Sequence, residues 1–152
     1  MDASSVRIDT QGIDRLHARV SRLPDLVAKA AMDIASIAAE SITSGNKSGL
    51  VYTRGGRAHV ASAPGEAPAS DTGFLAASIH PRRADVRGYT WEVSADAEYA
   101  QELEMVKNRP FMLPALVAVR PVFLRAVRAV LLGKAPPGQG RGHRRGAGTG
   151  ET

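Results

Sequence analysis

The 152-residue chain contains no cysteine, and this absence excludes several kinds of chemistry. A disulfide framework, a zinc site with thiolate ligands and a cysteine nucleophile are all ruled out. No uninterrupted apolar run approaches the roughly 18 residues that a membrane-spanning helix needs. The first residues, Met1–Ser5, lack the basic and then apolar pattern of a signal peptide. We therefore expect a soluble, non-secreted protein built as one domain.

Acidic residues are fewer than basic ones, and most of the excess positive charge lies at the C-terminal end. Residues 133–152 carry a net charge of +3, whereas residues 1–132 carry only +2. The last segment also holds seven of the fifteen glycines and no apolar residue larger than alanine. Such a composition cannot bury enough surface to order itself. We expect an α+β domain over residues 1–132, followed by a flexible Gly/Arg-rich tail over residues 133–152.

Two short helices are expected: one from Thr72 to about Ser78 with Asp71 as its N-cap, and one after Asp96 that contains Tyr99, a residue assigned to the core. Apolar residues at helical spacing predict three longer helices. The first runs from Gln11 to Arg22, and the second begins near Pro24 and continues to about Thr43. The last extends from Arg109 to about Leu132, with a kink or a split at Pro121. Its predicted core-facing stripe consists of leucines and valines: Leu113, Leu116, Val117, Leu124, Val127 and Leu131.

The predicted strands are short. Residues 79–86 and 89–94 flank a glycine-containing turn and should form a hairpin. Residues 45–70 are rich in glycine, serine, proline and alanine, and should form an extended loop with short strands at residues 50–52 and 59–61. The fold class that follows is α+β: a small, mostly antiparallel sheet with a long N-terminal helix and a C-terminal helix packed on it.

The sequence offers no catalytic or metal-binding constellation, so we expect neither an enzyme nor a cofactor. The four histidines fall in four different predicted elements, and no pair has the spacing of a metal site. Glu98 and Glu102 share one helix face, which suits acid–base chemistry or a solvated surface. Residues 54–57 could form an anion-binding turn or a flexible basic turn. Phe111 and Met112 could be an exposed interface anchor or part of the core.

Four segments in register resemble one protein family. They are residues 61–68 (ASAPGEAP), residues 71–79 (DTGFLAASI), residues 97–103 (AEYAQEL) and residues 109–116 (RPFMLPAL). Their order and spacing are similar to the small head–tail joining proteins of tailed bacteriophages, the neck or tail-completion proteins. The resemblance covers residues 6–132. Within it, residues 102–108 depart from the family pattern, because they contain neither an aromatic residue nor a glycine.

The resemblance implies a structural virion protein without catalytic activity. Such proteins look like ring formers, commonly hexameric, that lie between a head-closure or connector protein and a tail-tube or tail-terminator protein. The expected location is the virion neck, after assembly in the host cytoplasm, with no membrane contact. Two alternatives remain: a tail-terminator ring that caps the tail tube, and a nucleic-acid-binding accessory protein that acts through its basic tail.

Ring formation directs attention to two sets of residues. The extended loop, with Arg57, His59 and Glu66, is expected to contact a neighbouring subunit, as are Arg109, Phe111 and Met112 at the start of the last helix. Arg109 is suited to pair with a carboxylate. Four basic residues are expected to bind either an acidic groove on an adjacent ring or DNA in the channel: Lys134, Arg141, Arg144 and Arg145.

Overall fold

Two long antiparallel helices form the frame of the structure, a computed structural model that describes residues 10–134. The five helices are α1 (Gln11–Val20), α2 (Leu23–Thr43), α3 (Phe74–Ala77), α4 (Ala100–Met105) and α5 (Met112–Leu131). The four strands are β1 (Val51–Arg54), β2 (Arg57–Val60), β3 (Ile79–Arg83) and β4 (Trp91–Ala95). The α+β class, the long N-terminal helix and the C-terminal helix are thereby confirmed.

Helices α2 and α5 pack through small side chains. The buried residues of α2 are Ala31, Ala35, Ala38 and Ile42, and those of α5 are Ala115, Val119, Ala126 and Val130. Alanines let two helix backbones approach closely, which explains why this face of α5 was selected for the interior. The stripe of large residues predicted to face the core was wrong: Leu113 and Val117 are 60% and 62% exposed.

Pro121 does not divide the last helix. Helix α5 is continuous over 20 residues, about 30 Å, with Pro121 in its interior. The expected split is therefore absent from this helix. Proline removes only one backbone donor, and the packing of α5 along α2 holds the helix on both sides of it.

The strands form two separate hairpins instead of the single small sheet that the sequence suggested. Strands β3 and β4 pair antiparallel from Ile79 opposite Ala95 to Arg83 opposite Trp91, and this hairpin packs against α2. Strands β1 and β2 pair antiparallel from Val51 opposite Val60 to Arg54 opposite Arg57. The second hairpin shares no strand with the first. Its strands lie close to the short strands predicted at residues 50–52 and 59–61, and their pairing makes this part of the chain more ordered than the predicted loop.

The centre of the core lies where α2, α3 and the start of α5 meet. Its buried members are Ala38, Ile42, Leu75, Ala97, Ala100, Phe111 and Ala115. Phe111 is only 2% exposed, and it supplies the largest aromatic surface in this cluster. The core therefore sits beside the N-terminus of α5, at one end of the long helix pair.

Candidate subunit interface

The β1–β2 hairpin is the most exposed regular element of the described chain. Seven of its eight strand residues are exposed, and only His59 is partly covered. Val51 and Val60 face each other across the hairpin, 69% and 40% exposed, and the preceding Leu50 is 84% exposed. An isolated two-stranded hairpin is marginally stable in water. We call residues 50–61 the arm.

The arm is tied to the body at its base by hydrogen bonds and charges. Gly49 N–H donates to the carbonyl of Ala61 at 2.9 Å, and a side chain at Gly49 would lie 2.6 Å from that oxygen. Glycine is therefore required where the two chains of the arm approach each other. The tip is free, because Arg57 is exposed and no hydrogen bond or ion pair of its side chain occurs within residues 10–134.

Asp71 holds the flank of the arm. Its carboxylate pairs with the Arg54 guanidinium and lies 3.5 Å from His59 Nδ1. The His59 ring stacks on Tyr52, with ring centroids 5.6 Å apart. Asp71 was expected to cap the following helix, and this is wrong: Gly73, at φ 76°, occupies the cap position of α3. The long-range charge contact with Arg54 takes the carboxylate away from the helix.

Glu66 folds the loop that follows the arm. Its carboxylate accepts hydrogen bonds from Ser48 Oγ, from Ser48 N–H at 3.0 Å and from Ala63 N–H at 2.7 Å. These bonds, led by the Ser48 hydroxyl, lower the pKa of Glu66 to about 2. The neighbouring Lys47 donates to the carbonyls of Ser41 and Ala67, and burial lowers its pKa. Glu66 therefore uses these acceptors within its own chain, and its expected contact with a neighbouring subunit stays a prediction.

The residues at the start of α5 occupy three different environments. Phe111 belongs to the core, so of the two alternatives the structure excludes the exposed anchor. Met112 is half-buried against the same cluster. Arg109 makes no ion pair among the described residues, and its buried Nη1 has no hydrogen-bond partner there, so the carboxylate pairing expected for Arg109 is absent.

Glu104 fixes the chain at the entry to α5. Its carboxylate accepts hydrogen bonds from the N–H groups of Phe111 (2.8 Å), Met112 (3.1 Å) and Leu113 (2.9 Å). These are orphan donors of the first helical turn, and an anionic side chain there also complements the helix dipole. Sequence reasoning missed Glu104, because it lies on α4, eight residues before the first residue of the helix it caps.

Helix α5 presents a second apolar face to solvent. Its members recur at alternating steps of four and three residues, the spacing of a coiled-coil seam: Leu113, Val117, Arg120, Leu124, Val127 and Leu131. The four leucines and valines at its ends and centre are strongly exposed: Leu113 60%, Val117 62%, Leu124 52% and Leu131 41%. We call these six residues the outer seam. It shares five of its six residues with the stripe that the sequence assigned to the core, and it contains Arg120 where that stripe contains Leu116.

Charge divides the described chain into two ends. The basic end holds α1, the first half of α2, the β3–β4 turn and most of α5 (residues 10–34, 82–92 and 113–134), with eleven basic and five acidic residues. The acidic end (residues 35–81 and 93–112) has five basic and seven acidic residues. The basic end thus has a net charge of +6 and the acidic end a net charge of −2. Sequence order alone did not show this separation.

The tail begins at the basic end. Lys134 N–H donates to the carbonyl of Ala129 at 2.8 Å and Gly133, at φ 72°, follows the last turn of α5, so the helix ends with a left-handed glycine. The side chain of Lys134 is exposed. The other predicted tail contacts, Arg141, Arg144 and Arg145, lie outside the described residues.

Neither metal ligation nor a membrane span is indicated within residues 10–134. No three histidine, aspartate or glutamate side chains are grouped so as to hold a metal ion. No helix there is long and apolar enough to cross a bilayer. Comparison with protein-family models, with curated proteins and with solved structures finds no match for this chain.

Proposed function

We propose that this chain is a ring-forming structural subunit of a bacteriophage neck, which joins the DNA-filled head to the tail. The observation that carries the proposal is the arm, an ordered hairpin that leaves the apolar side chains of Leu50 and Val51 largely exposed in its own subunit. A marginally stable element of this kind is retained when a partner covers it. In a closed ring the partner is the next copy of the same chain.

The position of a second uncovered surface supports a ring over a two-fold dimer. The outer seam lies on α5, whereas the arm extends from the chain after α2. Ring contacts join two different patches of each subunit, so a ring former must carry at least two separate adhesive surfaces. The resemblance to neck proteins supports the phage neck as the site of such a ring. It is carried by residues 61–68, 71–79, 97–103 and 109–116.

The mass of the protein in solution tests whether a ring forms. A substitution in the arm tests whether the arm holds the subunits together. Val51→Lys places a charge on the arm, and we expect folded monomers with an unchanged circular dichroism spectrum where the wild-type chain forms a ring. Val86→Lys is the matched control, since Val86 is 95% exposed in the β3–β4 turn. A wild-type chain that stays monomeric at all concentrations would refute the proposal. Imaging of the assembled particle then distinguishes a neck ring from a tail-terminator ring.

The charge of the basic end favours a second candidate function, a contact with the DNA in the channel. The surplus of six positive charges over residues 10–34, 82–92 and 113–134 adjoins the basic tail. Phosphate contacts make binding strongly dependent on salt, with a log–log slope of about −0.9 per neutralised phosphate. DNA binding that weakens with this dependence, and that is weaker in Arg87→Glu, an exposed residue of the β3–β4 turn, would support the contact.

A further inference from the structure

A small patch around α4 carries exposed carboxylates, which the outer seam lacks. It combines exposed apolar side chains with two exposed carboxylates: Glu98, Tyr99, Glu102, Met105 and Val106. Tyr99 was expected in the core, yet it is 43% exposed, and Met105 and Val106 are 75% and 73% exposed. Glu102 and Met105 are three residues apart on α4 and lie on one side of it, and Glu98 lies in the turn before the helix. We call these five residues the acidic patch.

We propose that the acidic patch of one subunit packs on the outer seam of the next copy, and that this contact closes the ring. The inference rests on the proposed function, because it names the surfaces through which the proposed ring assembles. Apolar side chains are opposed on both sides: Tyr99, Met105 and Val106 against Val117 and Leu124.

Charge complementarity selects a second copy as the occupant. The outer seam carries Arg120 in its centre and Arg128 at its edge, and α5 has no acidic residue. Glu98 and Glu102 are both exposed, and among the described residues Glu102 forms its ion pair with Lys107, at 3.3 Å. Arginine pairs well with carboxylates at protein interfaces. One chain thus carries both halves of a matched contact.

The dimensions of the two surfaces agree. Arg120 and Arg128 are eight residues apart on one helix, about 12 Å. The acidic patch spans the six-residue helix α4 and the turn before it, a length of about 10 Å. The patch and the centre of the seam lie at different places on one subunit, so their contact is heterologous and continues from copy to copy.

A pairing of two outer seams is disfavoured by the position of Arg120. This residue lies near the midpoint of α5, which runs from Met112 to Leu131. An antiparallel pair of α5 helices would bring the two Arg120 guanidinium groups together at its centre. Like charges placed face to face in an interface cost several kcal/mol, whereas the acidic patch offers these groups carboxylates.

Charge reversal tests the contact in the full-length chain. The seam variant is Arg120→Glu with Arg128→Glu, and the patch variant is Glu98→Arg with Glu102→Arg. We expect each variant alone to need about 100-fold more protein for assembly, because its own two surfaces then repel. Arg125→Glu is the control: it makes the same change on α5, but it lies about 120° around the helix from the line of Leu113 and Leu131.

Complementation identifies the partners. An equimolar mixture of the seam variant and the patch variant places opposite charges at every contact of an alternating ring, as does one chain that carries all four substitutions. We expect light scattering or sedimentation to show assembly restored in both cases, with circular dichroism confirming folded subunits throughout.

The possible failures are distinguishable. Loss of assembly without restoration would overturn the pairing of patch and seam, as would unimpaired assembly of both single-surface variants, while the ring itself would stand. A monomeric wild-type chain would overturn the proposed function together with this contact. Should a reversed variant unfold, the neutral changes Arg120→Gln and Glu102→Gln give the same test, with weakened assembly expected for each and unchanged assembly refuting the contact.

Discussion

Glu104 is expected to control the stability of the N-terminus of α5, although it belongs to another helix. Its two carboxylate oxygens accept three N–H groups, with Oε2 shared by Phe111 and Met112 and Oε1 used by Leu113. The substitution Glu104→Gln keeps the size of the side chain and replaces one acceptor oxygen with an NH₂ group. At least one backbone donor then loses its acceptor, and the negative charge beside the helix N-terminus disappears.

The expected loss is about 2 kcal/mol of unfolding free energy. Removal of a helix N-cap costs about 0.5–2 kcal/mol, and a partly buried donor left without an acceptor costs about 1–3 kcal/mol. The donors of Phe111 and Met112 are partly buried, so water replaces their acceptor poorly. For a domain of this size the change lowers the melting temperature by roughly 4–8 °C. Urea unfolding followed by circular dichroism measures it directly.

The control for this experiment is Glu40→Gln, the same chemical change at an exposed position late in α2. Substitutions at such positions usually stay within about 0.5 kcal/mol. Equal midpoints for Glu104→Gln and Glu40→Gln would show that the carboxylate contributes no capping energy, and the argument for Glu104 would then be wrong.

Two further outcomes follow from single residues. Phe111→Ala should lower the unfolding free energy by about 3–5 kcal/mol because the ring is buried in the core. The control Leu113→Ala should cost less than about 1 kcal/mol, because Leu113 is 60% exposed. An unchanged urea midpoint for Phe111→Ala would contradict the core position of Phe111. Glu66 has a folded pKa lowered to about 2 from 4.5, so its stabilising effect is present above about pH 4.5 and is lost as the pH falls towards 2. The difference in melting temperature between wild type and Glu66→Gln should shrink over that window, and a difference independent of pH would contradict this linkage.

The sequence predicted the helices well, because their apolar spacing is local. The bounds of α1 and α2 lie within a few residues of those expected, and the β3–β4 hairpin occurs where its turn was placed. The choice of the buried face of α5 failed for a physical reason. Both faces are apolar, and a pattern that ranks side chains by size selects Leu113 over Ala115, whereas close packing against the alanines of α2 selects the reverse.

The contacts that failed prediction are long-range ones. Asp71 appeared suited to cap a helix, yet it pairs with Arg54, 17 residues away. Glu66 bonds to Ser48 over 18 residues, and Glu104 reaches an N-terminus seven to nine residues further along the chain. No periodicity encodes such pairs, since each depends on how the loop returns to the body. The candidate interface residues also depend on long-range packing. Phe111 is buried in the core, whereas Arg57 is exposed.

The distribution of large and small side chains has a consequence for stability. The helix pair is built on alanines, so each subunit gains little from burying its longest helices, about 0.8 kcal/mol for each buried methylene-sized group. The larger residues, Val51 of the arm and Val117 and Leu124 of the outer seam, are exposed to water in the subunit. In the proposed ring, contacts between subunits would bury this apolar surface. Because a partner that binds only the folded state raises its stability by mass action, the melting temperature should rise with protein concentration. Calorimetry over a 100-fold concentration range measures this rise, and a melting temperature independent of concentration would show that the subunit is stabilised by its own core alone.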